Sequence, residues 1–173
     1  MNILILVTGS ISAYKAVDIA NSLRHKGHEV KIACTKAALQ FIPKVTFTGQ
    51  RYECYTDEDE WNSSVSGVLH INLAKWANLL LVAPATSNTI GKFVNGITDN
   101  LVLSIMRAYA GKIYIAPAMN TQMYHNSKIF LDKLKDFNTV LLPTEEKLLA
   151  CGDYGIGGLA NKTVIIDAIL KSE

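Results

Sequence analysis

The sequence predicts an α/β fold: a doubly wound, mostly parallel sheet of the Rossmann-like or flavodoxin-like type, covered by helices on both faces as a three-layer sandwich. Nearly continuous apolar runs, bounded by turn residues, suit strands that are buried on both faces. Segments with a helical pattern alternate with these runs along the chain. Repeated strand–helix–strand order is typical of parallel strands joined by right-handed crossovers.

The predicted elements follow in chain order. Five apolar runs are expected to form strands, at residues 2–8, 29–34, 79–83, 112–116 and 139–142. Helical patterns are found at residues 13–25, 70–76, 88–93, 100–108, 128–135 and 163–170. In the first of these the apolar residues recur on one face, and Lys26-Gly27 supplies a basic last turn followed by a glycine C-cap.

Length and composition exclude several classes of protein. The 173 residues predict one domain spanning 1–173, and 49% hydrophobic against 18% charged residues excludes intrinsic disorder. With 17 Lys and Arg against 15 Asp and Glu, the chain lacks the basic surface of a nucleic-acid binder. No apolar run approaches the roughly 20 residues of a membrane span. We therefore expect a cytoplasmic protein with neither a nucleic-acid nor a membrane partner.

The cysteines and acidic residues give no sign of a metal site. Cys34, Cys54 and Cys151 form an odd set without a C-x-x-C pair, so neither a disulfide framework nor a zinc site is expected. The acidic run at residues 57–60 is more typical of a solvated turn than of a metal cluster.

The loop after the first predicted strand is a candidate anion site, because ligands of such sheets bind beyond the carboxyl ends of the strands. Gly9 lets the backbone approach an anion closely, and the N–H groups at the start of the next helix favour a phosphate. Ser10 and Ser12 add hydroxyl donors on either side of Ile11. The alternative is an ordinary tight turn in which Ser12 is the helix N-cap.

A second polar loop follows the predicted strand at 79–83. Thr86, Ser87, Asn88 and Thr89 are consecutive small residues that can surround a phosphate or the polar edge of a flat ring. The alternative is a capping cluster in which Ser87 or Asn88 caps the next helix. Two such loops at strand ends of one sheet favour cofactor binding.

Three further residues carry groups suited to chemistry, each with a plainer alternative. His70 can act as a general base or an electrostatic anchor, although a lone histidine is usually structural. Asn120 follows the predicted strand at 112–116 and can hold a carboxylate or pin a turn. Cys151 opens a segment with four glycines in eight residues, which predicts a mobile flap whose thiol donates a proton, or else a surface loop with an incidental cysteine.

Five segments together resemble the flavin-dependent cysteine decarboxylases, on the branch that acts on 4′-phosphopantothenoyl-L-cysteine in coenzyme A biosynthesis. The resemblance extends from residue 3 to about residue 159. The segments are GSISAYK at 9–15, HINL at 70–73, PATSNT at 84–89, PAMN at 117–120 and ACGDYG at 150–155. Each motif is weak by itself, whereas all five in this order are specific.

The resemblance implies an FMN cofactor and assigns residues to it. The flavin phosphate is expected in the loop of Gly9, Ser10 and Ile11, helped by Ser12. Contacts to the flavin ring or phosphate are expected from Thr35, Thr86, Ser87, Asn88, Thr89 and Ala118.

The same resemblance implies the reaction. FMN oxidises the substrate thiol to a thioaldehyde, loss of CO₂ gives an ene-thiolate, and re-reduction yields 4′-phosphopantetheine. His70 is then the active-site histidine, Asn120 binds the substrate carboxylate, and Cys151 is the acid on the flap. Met119, Leu148, Leu149 and Ala150 are expected beside the substrate.

The resemblance also implies partners, and the sequence departs from the family at one position. Gly158 stands where the family often has an arginine. Many bacterial relatives carry a fused ligase domain, so we expect a separate phosphopantothenate–cysteine ligase as pathway partner. A homo-oligomer, either a trimer or a dodecamer, is expected, with His70 meeting the flavin across a subunit contact.

Three alternatives remain open from the sequence. A decarboxylase of the C-terminal cysteine of lantibiotic precursor peptides would share His70 and Asn120. The flavin prenyltransferase branch shares the fold but lacks this combination of histidine, asparagine and cysteine. A non-catalytic FMN-binding carrier or regulatory protein would not need Cys151.

Overall fold

The chain forms a six-stranded parallel sheet in the order β3-β2-β1-β4-β5-β6, with a separate antiparallel hairpin of β7 and β8. This computed structural model describes residues 1–61 and 67–171. The strands are β1 Asn2–Val7, β2 Glu29–Cys34, β3 Cys54–Tyr55, β4 Leu79–Ala85, β5 Ile113–Pro117, β6 Thr139–Leu141, β7 Glu145–Leu148 and β8 Tyr154–Gly158. The order reverses between β1 and β4, as in doubly wound dinucleotide-binding folds, and confirms the predicted fold class.

Helices cover both faces of the sheet. They are α1 Lys15–His25, α2 Lys44–Thr48, α3 Asp57–Glu60, α4 Leu69–Trp76, α5 Ser87–Val94, α6 Leu101–Ala108, α7 Thr121–Asn126, α8 Lys128–Lys133 and α9 Lys162–Leu170. Short 3₁₀ turns lie at Ile11–Tyr14, Ala38–Gln40 and Leu134–Asp136. The six helices predicted from periodicity are present, although the first turn of the first one is 3₁₀.

Burial on both faces explains why the strands are continuously apolar. In β1, Ile3 and Ile5 face the layer that contains α1 and α9, whereas Leu4 and Leu6 face the layer of α4, α5 and α6. All four side chains are fully buried. A strand covered on only one face would alternate apolar with polar residues. The continuous apolar runs therefore identify the central strands correctly.

The glycine-rich segment predicted as a mobile flap contains a β-strand, which the sequence did not indicate. Residues 154–158 form β8, which pairs antiparallel with β7. The residue pattern did not indicate this strand because three of its five residues are glycines. Two of these, Gly155 and Gly157, are required because the strand passes close to another segment. A Cβ on Gly155 would lie 2.4 Å from Thr121 Oγ1, and one on Gly157 would lie 2.5 Å from the Met119 carbonyl oxygen.

Two other segments also differ from expectation. The acidic run predicted as a solvated turn forms α3, whose start is closed by a capping box between Thr56 and Asp59. Cys54, which no pattern placed, lies in the two-residue strand β3, with its Sγ 3.8 Å from the buried Cys34 Sγ. A strand of two residues is too short to leave a periodic pattern.

In the part of the chain that the structure describes, residues 1–61 and 67–171, no helix has the length and apolar character needed to cross a membrane.

The side chain of Thr8 joins the ends of the two central strands. Its buried hydroxyl donates to the Pro84 carbonyl oxygen at 2.7 Å and accepts the Thr86 backbone N–H at 3.0 Å. The backbone N–H of Thr8 also donates to the Pro84 carbonyl. These bonds tie the loop after β1 to the loop after β4.

Replacement of Thr8 by valine should destabilise the fold without a change of volume. The substitution leaves the Thr86 N–H without its acceptor, so the free energy of unfolding should fall by about 1–3 kcal/mol. Urea denaturation measures this free energy of unfolding. The exposed Thr48→Val is the control and should change stability by less than about 0.5 kcal/mol. Equal stability of Thr8→Val and the wild type would contradict this role of the hydroxyl.

Candidate active site

Two adjoining cavities open at the carboxyl ends of β1 and β4. The first, of about 580 Å³, we call the strand-end cavity; its lining includes Gly9, Thr35, Thr86, Asn88 and Thr89. The second, of about 500 Å³, we call the hairpin cavity, because residues 147–151 and 157–159 cover one side of it. Both volumes lie in the range of small-molecule sites. The two cavities share a wall formed by Ser10, Ile11, Ala118 and Met119.

The loop after β1 passes close to the segment after β2. A Cβ on Gly9 would lie 2.5 Å from Ala37 Cβ, so this position has no room for a side chain. Ser10 is the N-cap of the following 3₁₀ turn, and its Oγ accepts the Ser12 N–H at 3.2 Å. The N-cap is therefore Ser10, and not Ser12 as the alternative interpretation had it. Ser12 lines the hairpin cavity rather than the strand-end cavity.

The loop after β4 is ordered by Thr86. Thr86 is the N-cap of α5, and its Oγ1 accepts the Thr89 N–H at 3.3 Å, so neither Ser87 nor Asn88 is the cap. Ser87 is the one member of this group of four that lines neither cavity. Its Oγ lies 2.6 Å from the Oγ of buried Ser127.

The lining of the strand-end cavity suits a phosphorylated, flat aromatic ligand. The cavity is lined by the hydroxyl donors Ser10, Thr86 and Thr89 and by the amide of Asn88, all of which the sequence predicted. Lys36, Lys92 and Asn100 also line it, and sequence reasoning missed these three residues. Apolar side chains of Phe41 and Met123 complete the wall. Donors of this kind hold phosphate oxygens, and apolar side chains pack against a ring.

Asp57 also lines the strand-end cavity. Its Oδ1 accepts the Leu101 N–H at the start of α6, at 2.8 Å. The acidic run therefore contributes a residue to this cavity. The sequence offered no signal for it, because the contact joins residues far apart in the chain.

The hairpin cavity gathers most of the residues predicted to lie around a substrate. Asn120, Met119, Cys151 and the range 148–150 all line it. Asn120 is the N-cap of α7, and its Oδ1 accepts the Met123 N–H at 2.8 Å. Because the oxygen is used in capping, the Nδ2 of the same amide is the group left to donate to a ligand. The two interpretations of Asn120, pinning a turn and holding a carboxylate, are therefore compatible.

The hairpin is attached to the segment after β5 by two hydrogen bonds. The Met119 N–H donates to the Gly157 carbonyl at 3.0 Å, and Thr121 Oγ1 donates to the Ile156 carbonyl at 2.9 Å. Gly157 has φ of +121°, which L side chains rarely adopt. A glycine is thus required at position 157 both for the backbone conformation and for the approach to Met119.

Cys151 lies at the tip of this hairpin, where it is exposed. Its Sγ donates to Asp153 Oδ2 at 3.4 Å, and the Leu149 N–H donates to the Asp153 carbonyl. The thiol is therefore placed on the cavity wall, next to a carboxylate that orients it.

His70 is separated from both cavities within one copy of the chain. It lies in the first turn of α4, where its Nδ1 is 2.6 Å from Glu60 Oε1. Glu60 Oε2 also accepts the His70 backbone N–H at 3.1 Å. The Glu60 side chain is only 12% exposed, and that of His70 is 27% exposed. Glu60 is a functional candidate that the sequence did not indicate, because a carboxylate ten residues away gives no spacing signal.

Among residues 1–61 and 67–171, no group of three or more His, Cys, Asp or Glu side chains is placed to hold a metal ion.

Comparison with known proteins gives consistent matches over almost the whole chain. The family model described as Flavoprotein matches residues 1–172. A phosphopantothenoylcysteine decarboxylase of Arabidopsis thaliana is 38% identical over 96% of this chain and 82% of its own length. The coenzyme A biosynthesis bifunctional protein CoaBC of Bacillus subtilis is 38% identical over 95% of this chain, which spans 41% of that relative.

Solved structures show the same fold. A mutant PPC decarboxylase complexed with pantothenoylaminoethenethiol superposes with a TM-score of 0.91 at 35% identity, covering 99% of this chain and 97% of the other. The FMN binding protein AtHal3 superposes with a TM-score of 0.86 at 36% identity, with the same two coverages.

Replacement of Gly157 by alanine should detach the hairpin from the segment after β5. The added Cβ would meet the Met119 carbonyl oxygen at 2.5 Å, and a forced shift of this kind costs about 1–3 kcal/mol. Hydrogen exchange of the Met119 amide should accelerate about tenfold or more. Gly152→Ala is a matched control, because Gly152 also has positive φ, of +90°, but has open space around it. Equal exchange rates in both variants would contradict this mode of attachment.

Proposed function

The chain belongs to the flavoprotein family, and we propose that it is an FMN-dependent carboxy-lyase that converts 4′-phosphopantothenoyl-L-cysteine into 4′-phosphopantetheine in coenzyme A biosynthesis. The observation that carries this function is the pair of cavities that meet at Ile11 and Met119. One has the donors and apolar walls for a flavin nucleotide, and the other places an amide and a thiol opposite it. In this proposal, residues 1–173 form a single decarboxylase domain.

The strand-end cavity holds FMN. Gly9, Ser10 and Ile11 hold its phosphate, with Thr86 and Thr89 as further hydroxyl donors. Thr35, Asn88 and Ala118 contact the flavin from the other walls of the cavity. Ser12 and Ser87 are also predicted cofactor residues, but Ser12 lines the hairpin cavity and Ser87 lines neither cavity. When bound, FMN supplies the electron sink that takes two electrons from the substrate thiol and later returns them as hydride.

The hairpin cavity holds the substrate with its cysteine end at the shared wall. The Nδ2 of Asn120 donates to the substrate carboxylate, and an amide cannot neutralise that carboxylate by proton transfer. Once the substrate carries a thioaldehyde, CO₂ leaves and the charge is delocalised onto sulfur as an ene-thiolate. Met119 and residues 148–150 pack beside the substrate and exclude water from the reactive thioaldehyde.

Cys151 completes the reaction as an acid. The ene-thiolate must gain a proton on carbon when hydride returns to the neighbouring atom. The Cys151 thiol, held on the cavity wall and oriented by Asp153, supplies that proton.

His70 enters the site from a second copy of the chain. Within one copy it lies outside both cavities, and two large apolar side chains that precede it in the sequence are exposed. Trp61 is 88% exposed and Val68 is 51% exposed. An exposed apolar surface of this kind favours association. We therefore infer a homo-oligomer, a trimer or a dodecamer, in which His70 faces the flavin of the neighbouring subunit and assists oxidation of the thiol.

The cellular setting follows from the same reaction. A separate phosphopantothenate–cysteine ligase supplies the substrate, consistent with the bifunctional Bacillus subtilis relative. Both steps act on charged, water-soluble metabolites, so the protein works in the cytoplasm.

The reaction is tested by mass spectrometry of 4′-phosphopantothenoyl-L-cysteine after incubation with FMN-loaded protein. Loss of CO₂ to give 4′-phosphopantetheine is expected. Cys151→Ser should release CO₂ but accumulate a product two hydrogen atoms short, because the proton for the last step is missing. Cys54→Ala is the matched cysteine control, since Cys54 is buried in β3 and lines neither cavity, and it should give the full product. An unchanged substrate in the presence of bound flavin would refute the function.

Glu60 should act as a positioning residue for His70. Loss of a hydrogen bond to a charged group costs about 1.5–3 kcal/mol, so Glu60→Ala should lower kcat by roughly 10- to 100-fold. KM and the bound FMN content should stay close to those of the wild type, because Glu60 touches neither cavity. Glu60→Gln, which keeps an acceptor for Nδ1–H, should recover part of kcat.

The control is Glu58→Gln on the same helix, an exposed acid that should leave kcat unchanged. A wild-type kcat in Glu60→Ala, or a loss that comes entirely from released FMN, would contradict the positioning role.

A further inference from the structure

Two lysine side chains meet at the base of the hairpin cavity. Lys15 begins α1, Lys147 lies in β7, and both line the cavity. The Lys147 Nζ donates to the Leu159 carbonyl at 3.0 Å and forms an ion pair with Glu145. Two ammonium groups and one carboxylate leave an excess of positive charge at this end of the cavity.

The absence of a side chain at Gly158 creates the space in which Lys147 lies. A Cβ on Gly158 would be 2.4 Å from Lys147 Cε. Strand pairing sets Gly158 opposite Glu145 at the base of the hairpin, whereas Cys151 lies in the turn at its tip. The Lys147 side chain therefore extends toward the base, away from the thiol.

The electrostatics of the pair favour an anionic ligand. Partial burial and the adjacent Lys147 ammonium lower the pKa of Lys15, so the two cations repel each other in the absence of a ligand. A dianion between them would replace this repulsion with attraction. Lysine ammonium groups are common ligands of phosphate.

We propose that Lys15 and Lys147 bind the terminal phosphate of the substrate, with Glu145 as the counter-ion that the phosphate displaces from Lys147. The proposal rests on the function proposed above, and it names how this enzyme recognises the phosphorylated end. The phosphate of FMN is held separately in the strand-end cavity.

The two ends of the cavity match the two ends of such a substrate. Lys147 lies in β7 and Cys151 in the turn at the hairpin tip, and the Lys147 side chain extends from the strand toward the base, away from the thiol. An elongated molecule can thus place its carboxylate and thiol near Asn120 and Cys151 while its phosphate reaches the lysines. The phosphate then fixes the position of the cysteine end relative to the shared wall.

Steady-state kinetics of FMN-loaded protein with two substrates test this subsite. The substrates are 4′-phosphopantothenoyl-L-cysteine and its dephosphorylated form, pantothenoyl-L-cysteine. Lys15→Met and Lys147→Met should each raise KM about tenfold or more for the phosphorylated substrate, since a charge-assisted contact is lost. KM for pantothenoyl-L-cysteine should stay within about twofold of the wild type, because that substrate has no phosphate to lose.

Glu145→Gln should change KM for the phosphorylated substrate in the opposite direction. Removal of the competing carboxylate should lower KM for the phosphorylated substrate and leave KM for pantothenoyl-L-cysteine unchanged. Lys128→Met on α8 is the control for a general loss of positive charge, because Lys128 lines neither cavity.

Each outcome decides the proposal. If the lysine variants keep the wild-type ratio of the two KM values, the subsite is refuted. An equal loss on both substrates also refutes it, because it shows that Lys147 only supports the hairpin.

If the wild type releases CO₂ from neither compound, the proposed function fails, and calorimetric binding of the two compounds decides the subsite separately. A loss of affinity confined to the phosphorylated compound in Lys15→Met and Lys147→Met would support it. Unchanged affinity would refute it.

Discussion

Both cavities depend on the alignment of the carboxyl ends of β1 and β4, which the Thr8 side chain fixes. Its hydroxyl joins the Pro84 carbonyl to the Thr86 N–H, so the loops after the two strands keep one relative position. Strand order reverses between β1 and β4, and this reversal opens a crevice that neither loop could form alone. Gly9 lies close to Ala37 because it has no side chain, and Thr86, the N-cap of α5, lines the same crevice.

The hairpin covers one side of the second cavity. It is held to the segment after β5 by Gly157, whose carbonyl accepts the Met119 N–H. Met119 is consequently part of the wall that both cavities share, together with Ile11 from the loop after β1. In the proposed function, flavin on one side and substrate on the other would meet at these two residues, which come from different loops. The same hairpin carries Cys151, the proposed acid, at its tip and Lys147 toward its base.

Sequence reasoning could identify the structural features that depend on local residue patterns and the site residues that lie at strand ends. Continuous apolar runs gave the central strands, and the rule that strand ends carry ligands located Gly9, Thr35, Thr86 and Asn120. It failed where the outcome depends on contacts between distant residues. The strand β8 was hidden by glycines that are explained only by the proximity of Thr121 and Met119. Likewise the partner of His70 could not be predicted, because α3 and α4 must first pack together before Glu60 reaches Nδ1.

A crystal structure of the oligomer with FMN and 4′-phosphopantetheine tests the central claim most directly, namely that the two cavities hold cofactor and substrate on opposite sides of one wall. The account predicts the flavin phosphate at Gly9–Ile11, the thiol end of the product across Met119 from the flavin, and His70 of the partner subunit near the ring. Flavin in the hairpin cavity, or both molecules in the same cavity, would contradict it.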